Sequence, residues 1–171
     1  GVIATGRLNL TIKNLNITDF NRGISLISTN NSLILNNSAS SNIFGIHLLS
    51  GSSNNTITSN TDNSNNYGII LFSSSNGNTI TNNTLNSNTI NGIRFASSSN
   101  NTINRGQINN FEQGQDAIYL LGVTSSDNAF TNVTITNPRP NFYDIKVATA
   151  GIDGTLLIDM PHIGNYSFAG D

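Results

Sequence analysis

The chain has 171 residues and a net charge of −2, and Asp, Glu, Lys and Arg together make up 9% of it, far below the quarter usual in globular chains. Its 7 Lys and Arg residues form no run or patch that could neutralise phosphates, which argues against a nucleic-acid partner, and no apolar run approaches the ~20 residues of a membrane-spanning helix. Without cysteine there are no disulfides, zinc-thiolate sites or cysteine nucleophiles.

Residues 1–19 already lie inside a repeating pattern: Thr11, Ile12 and Ile17 correspond to Thr79, Ile80 and Leu85 further on, so the chain reads as a mature or excised piece of something longer. Complete units then begin near Phe20, Phe44, Tyr67, Asn91 and Asp116, and residues 67–88 are the clearest of them. Aligned on the isoleucine that opens each unit, Ile24, Ile46, Ile69, Ile93, Ile118 and Ile145 recur at spacings of 22, 23, 24, 25 and 27 residues. A second row, Leu33, Ile57, Ile80, Ile103 and Phe130, drifts with it. Periods of this length mark stacked supersecondary units. Each unit carries up to three short apolar patches separated by Ser, Asn and Gly, without helical periodicity, which describes a triangular coil of three brief strands. The coils are expected over residues 1–148. Pro138 and Pro140 belong at a bend or bulge, because proline cannot donate to a strand ladder. Residues 149–171 depart from the repeat and are expected to form closing strands or a transition to a following domain.

Stacking gives the polar residues their place. The chain holds 32 Asn, a composition that would suggest disorder were its Ile, Leu and Phe not in register. Leu26, Leu48, Leu71, Phe95, Leu120 and Val147 form a further inward row, and Asn31, Asn55, Asn78, Asn101 and Asn128 are expected to form an internal amide ladder at a bend. Ser32, Thr56, Thr79, Thr102 and Ala129 approach the regular Thr array of an ice-binding face, but its ends break it. Nine Asn-X-Ser/Thr sequons, at Asn9, Asn16, Asn30, Asn36, Asn54, Asn82, Asn100, Asn132 and Asn165, fit an extracellular or cell-surface protein, as does the low charge.

With Gly-Ile-x-Leu, Asn-Thr-Ile and Asn-Asn-Thr-Leu in place, the sequence resembles the NosD-like parallel β-helix repeat proteins of the carbohydrate-binding and sugar-hydrolase type. Its ending is similar to the tails of repeat arrays in large archaeal surface proteins. The resemblance implies an all-β fold, a right-handed single-stranded parallel β-helix with about 22–27 residues and three short strands per coil. It also implies that the first strand of each coil floors a saccharide groove. The outward row on that strand is Ser25, His47, Ile70, Arg94, Tyr119 and Lys146, so Arg94, Tyr119 and Lys146, with His47 further along, are the candidate glycan contacts.

Catalysis has few candidates. Hydrolysis by paired acids needs two carboxylates at a set separation, and Glu112 with Asp116 is the nearest pair, followed by Asp144 one coil on. Elimination or epimerisation needs a base and a cation, or calcium, against a uronate; Asp116 and Asp144 beside Arg94 and Lys146 are the available groups. Copper delivery is disfavoured, since Met160, His47 and His162 lie far apart, and His47 has no acid positioned for a Ser-His-Asp arrangement. The sequence thus favours a non-catalytic extracellular module, structural or adhesive, whose partners are glycans or neighbouring copies in an end-to-end or lateral homo-oligomer, with no metal or cofactor and no membrane insertion. The alternative is a polysaccharide lyase, epimerase or hydrolase using the outward face of the first strand. Only residues 107–115 and 137–143 are long enough to wall a groove.

Overall fold

A computed structural model describes residues 1–109, 116–136, 142–154, 156–158, 160 and 166–168. The first coil carries β1 (Val2–Thr5), β2 (Thr11–Lys13) and β3 (Asn16–Ile17), and the second β4 (Arg22–Ile27), β5 (Leu33–Leu35) and β6 (Ser38–Ala39). Next come β7 (Phe44–Leu49) with β8 (Thr56–Thr58), β9 (Tyr67–Phe72) with β10 (Thr79–Asn86), and β11 (Asn91–Ala96) with β12 (Thr102–Asn109). The last are β13 (Ile118–Leu121), β14 (Ala129–Thr131), β15 (Thr134–Thr136), β16 (Ile145–Val147), β17 (Leu156–Ile158) and β18 (Tyr166–Phe168). Among the described residues every pairing is parallel and joins one coil to the next. The first sheet runs β1-β4-β7-β9-β11-β13-β16-β18, and the second runs β2-β5-β8-β10-β12-β14-β17, with β15 beside β12. A narrow third face starts as β3-β6 and continues through the bridges Ser38↔Thr61↔Thr84 into the far halves of β10 and β12. The third strand is therefore separate only in some coils; elsewhere it is the bent end of an eight-residue strand. After residue 148 the chain keeps the stack, since β17 pairs with β14 and β18 with β16.

Like residues pile on like because each register step is one whole coil. The isoleucines from Ile24 to Ile145 are at most 1% exposed, and the row from Leu26 to Val147 is equally interior. Phe95 meets Phe130 edge-on at 5.9 Å, which fills the core where the coils widen. One position of the second row is corrected: Ile34, not Leu33, pairs with Ile57 and is fully buried, while Leu33 pairs with Thr56. In the Ser-Leu-Ile-Leu run hydrophobicity alone does not choose the inward residue; the pleat does.

The same shift removes Asn31 from the ladder. Asn31 takes the bend itself, with φ 52, and Ser32 occupies the ladder place, donating its backbone N–H to Asn55 Oδ1 at 2.9 Å. Asn55, Asn78 and Asn101 each donate N–H to the amide oxygen of the next member, at 2.9, 2.9 and 3.0 Å, ending on Asn128. Their Nδ2 groups turn to carbonyls or to the neighbouring amide, as Asn78 does to Ser52 O and Asn101 Oδ1. Ser32 likewise leaves the Thr row, where Leu33 interrupts Thr11 and Thr56. Two ladders that sequence reading missed run at the other bends, through Asn37, Asn60 and Asn83 and through Asn42, Asn65 and Asn88.

Candidate functional site

The outward row of the first sheet is Ser25↔His47↔Ile70↔Arg94↔Tyr119↔Lys146 in backbone register. Strand alternation turns these side chains away from the core, yet Ser25, His47 and Ile70 are 0%, 6% and 7% exposed. A second outward row, Arg22↔Phe44↔Tyr67↔Asn91, stands beside it as a wall. Phe44 stacks on His47 at 4.9 Å and on Tyr67 at 5.3 Å, the latter nearly parallel at 9°. These aromatic residues open their coils in the sequence, but nothing there shows that they lean over the neighbouring row.

Two clefts follow. The larger, about 260 Å³, is lined by Phe44, His47, Tyr67, Ile70, Phe72 and Arg94. The smaller, about 170 Å³, is lined by Ile90, Asn91, Arg94, Asp116, Tyr119 and Lys146. Arg94 belongs to both and makes them one groove running across the strands, along the solenoid.

Cations and rings alternate along it. The Arg94 guanidinium lies 5.6 Å from the Tyr67 ring and 5.4 Å from that of Tyr119, and Lys146 Nζ lies 5.9 Å from Tyr119 and 5.6 Å from Tyr143. Arg94 Nη1 also donates to Tyr67 Oη at 3.2 Å. Since Arg only donates, the Tyr67 O–H remains available to donate elsewhere. Asp116 is engaged: Oδ1 accepts the Tyr143 N–H at 2.9 Å and Oδ2 sits 3.7 Å from Lys146 Nζ. Asp144 is buried in register with Ala117, not on the wall that Asp116 continues, and lines neither cleft.

His47 is the perturbed group of the site. Burial, and then the positive charge of Arg22, lower its pKa to about 4, so the imidazole is uncharged at neutral pH. Its Nδ1 has no hydrogen-bond partner, nor do Ser25 Oγ one coil before it and the Nε atoms of Arg22 and Arg94. Polar atoms left this way cost free energy unless solvent or a ligand reaches them.

The groove thus gathers Arg94, Tyr119, Lys146 and Asp116 at one end and His47 at the other, and adds Phe44, Tyr67, Ile70 and Phe72, which sequence reasoning did not select. Glu112 and Asn165, and most of the two long connections expected to wall it, lie outside the described residues. Among the described residues no three His, Cys, Asp or Glu side chains are placed to hold a metal ion.

This architecture has counterparts among solved structures. The A-module of the mannuronan C-5 epimerase AlgE6 from Azotobacter vinelandii superposes with a TM-score of 0.74 and 19% identity over 99% of this chain. The AlgE4 A-module from the same organism gives 0.72 and 17% over 94%. An alginate lyase from a Paenibacillus strain gives 0.55 and 14% over 99% of this chain and 76% of its own. The chain spans about half, 54%, of each epimerase module. At these identities the likeness is one of fold. No curated protein sequence matches the chain. Residues 1–153 match the family model described as the right-handed beta helix region, and the chain belongs to that family.

Proposed function

We propose that the first-sheet groove engages an acidic polysaccharide and is the place where the protein acts on it by proton transfer next to a uronate carboxylate. The observation that carries this reading is the Tyr67–Arg94 pair, joined at 3.2 Å on the wall of a cleft that also holds the uncharged His47. Arg94 neutralises the sugar carboxylate and so acidifies the adjacent C–H. The imidazole of His47 takes that proton. The Tyr67 O–H donates one, either to the opposite face of the carbanion, giving epimerisation, or to the departing glycosidic oxygen as a C=C bond forms, giving elimination. The phenol and the guanidinium also offer a ring face and a cation, the usual means of holding a sugar. Structural neighbours that are polysaccharide epimerases and lyases support the reading at the level of fold.

A second reading, a cell-surface module that binds such a glycan without turning it over, is favoured by His47 itself. An imidazole with a pKa of about 4 is a weak base, and the carboxylate that lines the groove, Asp116, is committed to Lys146 and the Tyr143 N–H. Incubating the chain with oligouronates in deuterated water separates the two. Unsaturated uronides or deuterium at the carbon bearing the carboxylate are expected from the first reading; binding with neither product establishes the second. No binding of these or of sparsely charged acidic oligosaccharides refutes both.

A further inference from the structure

The groove is not charged along its length. Counted by coil, its outward cations are Arg22 on β4, Arg94 on β11 and Lys146 on β16, three and two strands apart, or roughly 14 and 10 Å at the spacing of parallel strands. Between Arg22 and Arg94 lie β7 and β9, whose outward residues are Phe44, His47, Tyr67, Ile70 and Phe72, with His47 uncharged. On the two outward rows three cations face one carboxylate, Asp116, leaving two positive charges in excess. Lys146 is already matched by Asp116. Among the described residues Arg94 has no carboxylate partner.

An extended glycan laid along the solenoid advances by about one strand spacing per sugar, so each coil meets about one ring. A homopolymeric uronan would set a carboxylate on every coil, two of them over the Phe44–Tyr67–Phe72 cleft with no cation to receive them. Desolvating an unpaired carboxylate against aromatic rings is costly, whereas an uncharged pyranose offers C–H bonds to the same rings. Resting on the glycan-binding reading above, we infer that the ligand is a sparsely charged heteropolysaccharide, with one acidic sugar at Arg94 and neutral sugars on the aromatic cleft over β7 and β9.

The test compares three oligosaccharides of equal length by calorimetry at physiological salt: one with a single glucuronate in every four sugars, one with a uronate at every position, and a neutral glucan. The first is expected to bind at least about tenfold more tightly than either of the others, the scale of one unpaired charge or one lost ion pair. Phe72 is 47% exposed, so Phe72→Lys is tolerated by the fold and adds a cation to the cleft; it should narrow or reverse the gap to the homopolymer. Equal or tighter binding of the homopolymer by the unmodified chain, equal binding of the neutral glucan, or an unchanged ranking in Phe72→Lys would each overturn the inference while leaving glycan engagement standing. Failure of all three to bind would overturn that reading too.

Discussion

Asp62 occupies a place that the fold reserves for apolar side chains. The inward row of the third face runs Ile17, Ala39, Asp62, Leu85, Ile108 and Ile135, fixed by the pairings on either side. Asp62 is fully buried, its backbone N–H reaches Thr84 O at 2.9 Å, and neither carboxylate oxygen has a partner. The flanking ladder amides are engaged elsewhere: Asn60 donates to Ile34 O and Asn83 Oδ1, and Asn65 to Ala39 O. Burial alone pushes the Asp62 pKa well above the ordinary carboxylate value. The folded pKa is raised, so the folded state holds a proton that the unfolded chain releases. Stability is therefore full below the unfolded pKa and declines as pH rises toward the folded one, by about 1.4 kcal/mol per pH unit in between. Replacing Asp62 with Leu removes an unsatisfied carboxyl, worth about 1–3 kcal/mol, and adds apolar burial of about 2 kcal/mol, offset by about 1 kcal/mol of crowding beside Ala39. Asp62→Leu should therefore gain about 3 kcal/mol at pH 4 and more at pH 7. Asp62→Asn should remove this fall without the apolar gain, leaving the opposite rise with pH that the depressed His47 pKa produces between about 4 and 6.5. Denaturant melts at both pH values, with hydrogen exchange of the Thr61–Thr84 bridge as a local probe, measure this. A Leu variant less stable than the native chain at both pH values, or a native chain whose stability relative to Asp62→Asn does not fall between them, would refute the reasoning.

Other perturbations separate scaffold from site. Asn55→Ala strands the Ser32 N–H and the Thr29 carbonyl in the interior and should cost about 3 kcal/mol in denaturant melts, whereas Asn54→Gly, at a left-handed bend where the next coil already has Gly77, should change stability by less than about 1 kcal/mol. Tyr67→Phe keeps the ring but loses the proton donor; turnover of an oligouronate should fall by about 10²-fold or more while its binding, followed by calorimetry, stays within a few-fold. Arg94→Ala should weaken binding of an acidic oligosaccharide by about tenfold or more, and binding of a neutral one much less.

The coil length and the outward row were legible because a parallel stack makes every register step one repeat, so Ile24 to Ile145 could be aligned by eye. The residue following each of them then had to share a face. Burial of that face was not legible: His47 and Ile70 look solvent-facing in sequence and are covered by Phe44, Tyr67 and Phe72, whose lean is set by stacking geometry that no spacing encodes. Asp62 escaped notice for the opposite reason, since an acid between Thr61 and Asn63 reads as loop material. Only the pairing of its neighbours reveals that it replaces a Leu.

The bends also explain a feature that sequence reading used as evidence of location. Asn36, Asn54, Asn82 and Asn100 each hold a left-handed φ of 52 to 57 and point outward, and each is followed by a ladder Asn and then by the Ser or Thr that begins the next strand segment. Asn visits that conformation at lower cost than most residues, although Ser holds it at other bends, the inward place suits an amide, and a strand start favours a β-branched or hydroxyl side chain. Asn-Asn-Ser/Thr thus suits this corner, and four of the nine sequons have a structural reason independent of glycosylation. The groove residues are under no such demand: the outward place that Ile70 fills in one coil holds Arg94, Tyr119 and Lys146 in the next three, where the scaffold is indifferent to the choice. Departure from the repeat on a face that the fold leaves unconstrained is therefore the stronger sign of function, and it points to β11, β13 and β16.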